Sequence, residues 1–125
     1  MARTNFESLT VYQLSEQLAD LIWEIVLGWN ALARDTVGKQ LVKAADSVGA
    51  NIAEGTGRGT YIDNRKFVTI ARGSLNETKH WLRRAFKRGL LSAKQINNVK
   101  LIIDELAPKL NAYLKSIGRE TQANN

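Results

Sequence analysis

The chain has 125 residues, 44% hydrophobic and 24% charged, with a formal net charge of +6 and a pI near 9.8. That length suits one domain around a single hydrophobic core, and no apolar run approaches the length of a membrane span. The absence of cysteine excludes disulfides, thiolate nucleophiles and soft metal sites, and Met1 to Asn5 lacks the apolar core of a signal peptide, so a cytoplasmic location is expected.

A single proline, Pro108, and the lack of any convincing apolar–polar alternation point to an all-α chain. The first helix is expected from Ser8 or Thr10 to Trp29, with Val11, Leu14, Leu18, Leu21, Ile22, Ile25 and Trp29 as its buried stripe. A link, Asn30 to Arg34, leads to a second helix capped by Asp35 or Thr36. Its inner face is Val37, Leu41, Ala44, Val48 and Ile52, and Gly55 is the expected left-handed stop. After the turn Gly55-Thr56-Gly57-Arg58-Gly59-Thr60, a third helix is expected from about Asp63 to Arg88, stopped by Gly89. Its buried stripe reads Phe67, Ile70, Ala71, Ser74, Thr78, Trp81, Leu82 and Ala85. Ser92 caps a fourth helix whose stripe is Ile96, Val99, Ile103, Leu106, Leu110, Leu114 and Ile117, with a bend expected at Pro108. Four helices of roughly 20–25 residues joined by short links predict an antiparallel up-down-up-down four-helix bundle over residues 1–117, followed by a polar tail, 118–125.

Two flanks fall outside these stripes. Tyr12, Ala19, Trp23 and Leu27 share one side of the first helix; Gly38, Val42, Ala45 and Gly49 form a small-residue row on the second. The bundle's own interior is one destination for them. A subunit interface is the other, and it would use Tyr12, Trp23, Leu27, Val42 and Gly49.

The charge is unevenly distributed. Residues 58–88 hold nine of the 18 Lys and Arg residues but only two of the 12 acids, whereas residues 1–57 hold four and seven. On a helical wheel Arg65, Lys66, Arg72, Lys79, His80, Arg83, Arg84, Lys87 and Arg88 occupy an arc of roughly 180°, mostly opposite the core residues. Like charges this close repel, and a phosphate backbone would offset the repulsion. Arg65, Lys66, Arg72, Lys79, Arg83, Arg84, Lys87 and Arg88 are therefore the candidate nucleic-acid contacts. The competing expectation is a solvated face partly paired with Glu16, Asp20 and Glu24 of the first helix, and an acidic protein surface is the alternative partner. No recognition-helix signature or aromatic stacking platform points to sequence-specific reading.

Catalysis is not expected. Ser74 and His80 lie on one helix but roughly 240° apart, too divergent to pair as nucleophile and base. No His/Cys cluster or Glu-x-x-His pattern offers metal ligands. The Gly55 to Gly59 loop follows a helix and lacks the Lys-Ser/Thr of a phosphate loop, so no cofactor is expected.

Three segments carry a family resemblance: Phe6-Glu7-Ser8-Leu9-Thr10-Val11-Tyr12, Ser47-Val48-Gly49-Ala50-Asn51-Ile52-Ala53-Glu54-Gly55-Thr56-Gly57-Arg58 and Phe67-Val68-Thr69-Ile70-Ala71-Arg72-Gly73-Ser74-Leu75-Asn76-Glu77. In this order they resemble the small bacterial four helix bundle protein family, some of whose members are encoded by intervening sequences within 23S ribosomal RNA genes. The chain is also similar to the accessory variability determinant of diversity-generating retroelements. The resemblance implies a ring-like homopentamer with a basic surface that binds RNA or DNA and, in those relatives, the element's reverse transcriptase. The hallmark residues themselves read as structural: Asn51 and Glu54 can close the second helix onto backbone or Arg58, and Gly73-Ser74 would let the third helix approach the second.

Overall fold

The structure, a computed structural model, describes residues 6–119. After a 3-10 turn, Phe6–Ser8, helix α1 spans Thr10–Leu27. The second helix, α2, opens at Ala31–Ala33, passes through a π-helical turn, Arg34–Gly38, and continues as Lys39–Thr56. Helix α3 is Tyr61–Lys87 and α4 is Ala93–Ser116. The described residues hold no strand, and the architecture is the all-α four-helix bundle expected from periodicity.

The helix ends follow from local hydrogen bonding. Asn30, rather than Asp35 or Thr36, caps the second helix, because its side chain accepts the Ala33 amide at 3.0 Å and the first turn forms upstream of the expected start. Thr60 caps α3 by accepting the amide of Asp63, and Ser92 and Gln95 form a reciprocal capping box at the start of α4. Gly89 does stop α3: its φ is +71°, and the amides of Gly89 and Leu90 reach back to the carbonyls of Phe86 and Ala85. Pro108 is exposed on α4, which runs through it unbroken.

Gly55 has a different task from the one expected. It is buried inside α2, which ends instead at Gly57 with φ −79°. A Cβ at Gly55 would lie 2.6 Å from Oδ1 of Asn64 and 3.1 Å from Cβ of Phe67. The second and third helices therefore approach each other there closely, and theirs is the most extensive helix contact in the bundle. Gly73, expected to permit that approach, faces open space.

Helices adjacent in sequence pack side by side, and α1 also meets α4, while the backbones of α1 and α3 are not neighbours. They occupy diagonal corners. The core between them holds Leu18, Ile22, Leu41, Val48, Ile52, Val68, Leu75, Leu106 and Leu110, all essentially inaccessible to water, each side chain contributing about 1.5–3 kcal/mol. The stripes expected on the first, second and fourth helices lie at least half-buried throughout. On α3 the buried set is Val68, Ala71, Leu75, Thr78 and Ala85, with Phe67, Ser74, Trp81 and Leu82 half-buried; Ile70 is 43% exposed. The inner sector is rotated by roughly 40° from the expected one, because burial follows the two helices α3 touches rather than the mean direction of its apolar residues. Trp29 pins the two ends together, its indole N–H donating to the Leu90 carbonyl at 3.0 Å.

Two glycine substitutions separate packing from propensity. Gly55→Ala is expected to lower unfolding free energy by about 1–3 kcal/mol through overpacking. Gly73→Ala is expected to raise it by up to about 1 kcal/mol, because Ala favours helix and meets nothing there. Urea unfolding of both variants checks the pair.

Candidate nucleic-acid interface

Helix α3 delivers the cations because its capped N-terminus and Gly89 stop bound a continuous run of 27 residues. Cations in the last turn gain about 0.3–1 kcal/mol each from the helix dipole, which offsets part of their mutual repulsion; Arg84 and Lys87 lie there, followed by Arg88 at the cap.

The structure divides the eight candidate residues between two flanks. One flank leans on α4. Arg65 is half-buried, and its Nη1 donates to the Ile117 carbonyl at 2.9 Å, satisfying the chain where it leaves α4. Gly118, expected to open a polar tail, is buried against this arginine and Tyr61; residues 120–125 of that tail lie outside the described residues. Arg72 reaches the Asn111 amide oxygen at 3.4 Å. Lys79 and Arg83 border a groove between α3 and α4. The other flank, Lys66, Arg84, Lys87 and Arg88, touches no acid: ion pairs among the described residues join Arg34–Asp35, Arg58–Glu54, Lys100–Asp104 and Lys109–Glu105. Glu16, Asp20 and Glu24 do not neutralise the basic face, since α1 stands at the diagonal corner. His80 sits at the edge of the Trp81 ring, 4.8 Å between centroids.

The candidate interface residues also divide. Gly49 is buried with its α-carbon facing Tyr12 and Ser15, so Tyr12 and Gly49 meet within one chain. Trp23 and Leu27 remain 52% and 51% exposed beside half-buried Val42. They line a groove of about 560 Å³ with Lys39, Lys43 and Asp46. Burial raises the Asp46 carboxyl above its usual range, assisted by the charge of Asp20. Burial likewise raises the Tyr12 phenol, with Glu16 adding to it. Periodicity overlooked Phe86, 53% exposed beside the Lys79/Arg83 groove; its position four residues after Leu82, at the edge of the stripe, is the signal that could have found it.

The hallmark segment is structural. Asn51 donates to the Ser47 carbonyl at 2.8 Å, and Glu54 holds Arg58 at 2.7 Å, with the guanidinium 4.7 Å from the Phe67 ring centroid. These contacts clamp the turn between α2 and α3. No group of three or more His, Cys, Asp or Glu gathers for a metal among the described residues, and no helix there is long and apolar enough to cross a membrane.

The model of the 23S rRNA-intervening sequence protein family matches residues 7–112, both the clamp and the basic helix included. The chain belongs to that family. A solved structure from Bacteroides thetaiotaomicron, described as a protein of unknown function from the S23 ribosomal protein family, is similar in fold at TM-score 0.75 and 21% identity. The match covers 86% of this chain and 100% of that one. Comparison with curated proteins finds no match. In this family member the Asn51, Glu54 and Gly55 contacts close the turn between α2 and α3, while Arg72, within the third matching segment, reaches Asn111 on α4.

Arg65→Gln is expected to lower stability by about 1 kcal/mol by leaving the Ile117 carbonyl without its charged donor, measured by urea unfolding. Asp46 gives a pH test. Its folded-state affinity for a proton exceeds that of the unfolded chain, so stability falls as pH rises through the carboxylate range. Asp46→Asn should raise the unfolding midpoint at pH 7, and the difference should vanish below the ordinary carboxylate pKa.

Proposed function

We propose that this protein is a non-catalytic, oligomeric accessory protein that binds RNA or DNA through the phosphate backbone. The observation that carries the proposal is one flank of α3, where Arg84, Lys87 and Arg88 cluster at the C-terminal end and Lys66 lies on the same side about 27 Å away, none of them in an ion pair with an acid. Unneutralised cations along a continuous helix attract a polyanion and release its counterions on binding. Nothing in the arrangement selects a base, so the contacts position a backbone rather than read a sequence. Family membership supports the reading by linking the chain to genes embedded in ribosomal RNA loci.

Oligomerisation belongs to the proposal because Trp23 and Leu27, two large apolar side chains one helical turn apart, are half-exposed. The assembly is a homo-oligomer, a pentamer by resemblance to its relatives, and it would gather several basic flanks on one particle. Its protein partner, on the same grounds, is an enzyme that handles nucleic acid, a reverse transcriptase being the expected class.

Binding to labelled RNA and DNA across a salt series tests the function. The affinity should fall steeply with salt. Arg84→Gln, Lys87→Gln and Arg88→Gln together should reduce the log–log slope by about 0.9 for each duplex phosphate they leave unneutralised, or about 0.7 on single strands. Retained helicity would show that the fold is intact. An unchanged slope, or no binding at low salt, would overturn the proposal and favour an acidic protein partner for the same face.

A further inference from the structure

The groove between α3 and α4 has two walls built alike. Helix α3 supplies Leu82 and Phe86 with Lys79 and Arg83; α4 supplies Ile96, Val99 and Ile103 with Lys100. Each wall repeats at three- and four-residue intervals over two helical turns, with apolar side chains on the floor and cations at the rim. Its volume is about 230 Å³, and Phe86 stands 53% exposed at its edge. The contact between α3 and α4 is the sparsest of the four neighbouring helix pairs, which is why this side remains open. Such a surface fits an amphipathic helix whose apolar residues are flanked by carboxylates.

The chain itself carries a helix of that description. Helix α1 contains no Lys or Arg, and Glu16, Asp20, Trp23, Glu24 and Leu27 occupy one exposed arc of roughly 100°. Trp23 and Leu27 are four residues apart, the same interval as Leu82 and Phe86 in the groove. Asp20 and Glu24 have the same four-residue spacing as Lys79 and Arg83. Lys39 and Lys43 lie on the α2 side of Trp23; Asp20 borders the neighbouring α1–α2 groove beside Asp46, and Glu24 stands farther round α1 from α2. Within one chain these faces cannot meet, because α1 and α3 occupy diagonal corners. Between two chains nothing prevents it.

Building on the oligomeric reading above, we propose that the Trp23/Leu27 face of α1 in one copy docks into the α3–α4 groove of a second copy, with Asp20 and Glu24 meeting Lys79 and Arg83. The contact is heterologous: each copy offers its groove to one neighbour and its α1 to another. It divides the basic helix by task. Lys79 and Arg83 hold the next subunit, and Lys66, Arg84, Lys87 and Arg88 stay free for phosphates.

Charge exchange tests this without nucleic acid. Asp20, Glu24, Lys79 and Arg83 are all exposed, and circular dichroism would verify that their variants keep the wild-type helicity. Sedimentation of the full chain over a concentration series should show the wild type as an oligomer. Asp20→Lys with Glu24→Lys should weaken association at least about tenfold, and so should Lys79→Glu with Arg83→Glu, since like charges then face each other. The fourfold variant, with both signs reversed, should associate again. An oligomer indifferent to either pair, or a fourfold variant that stays dissociated, would overturn this docking mode and leave the oligomeric reading standing. A wild type that is monomeric throughout the series would overturn both, while phosphate binding by the remaining flank is judged separately by its salt slope.

Discussion

The close seam between α2 and α3 is the constraint on which the rest of the molecule depends. At Gly55 no side chain fits between the two backbones, since Asn64 and Phe67 already fill the space. Just beyond, the Glu54–Arg58 pair and the guanidinium over Phe67 hold the turn that reverses the chain. An exposed ion pair of this kind contributes little by itself, about 0.2–1 kcal/mol. Its importance is geometric, because it sets the direction in which α3 leaves α2. Fixing that direction fixes which side of α3 faces Leu41, Val48 and Ile52, and therefore which side carries the cations outward.

The bundle topology then governs electrostatics. An acidic α1 and a basic α3 placed side by side would neutralise each other and leave little field outside. Up-down-up-down packing puts α2 and α4 between them instead. Each face keeps its charge at the surface, and the unlike faces can be satisfied only by other molecules. The two partners proposed above, a polyanion and a second copy of the chain, would draw on different flanks of the same helix.

Individual side chains show how tertiary structure reassigns residues of one type. Arg65 and Arg83 share one position on a helical wheel, yet Arg65 closes the end of α4 through the Ile117 carbonyl whereas Arg83 borders the open groove between α3 and α4. Gly55 and Gly73 are both helical glycines, and only the first lies where another backbone passes. Tyr12 and Trp23 share a flank of α1, but Tyr12 turns against Gly49 while Trp23 stays half in water.

By itself the sequence determined the helix count, the stripes of the first, second and fourth helices, the Ser92 cap, the Gly89 stop and the concentration of cations on the third helix. Each is a local or periodic property, written in spacings of three and four or in a residue suited to one backbone conformation. Only the tertiary structure decided that Asn30 and not Asp35 or Thr36 begins the second helix, that the inner sector of α3 excludes Ile70, that Arg65 belongs to the end of α4, and that Phe86 edges an open groove. Those outcomes depend on which helices become neighbours. A wheel averages one helix over all directions, whereas burial and charge pairing depend on the few directions from which another helix arrives.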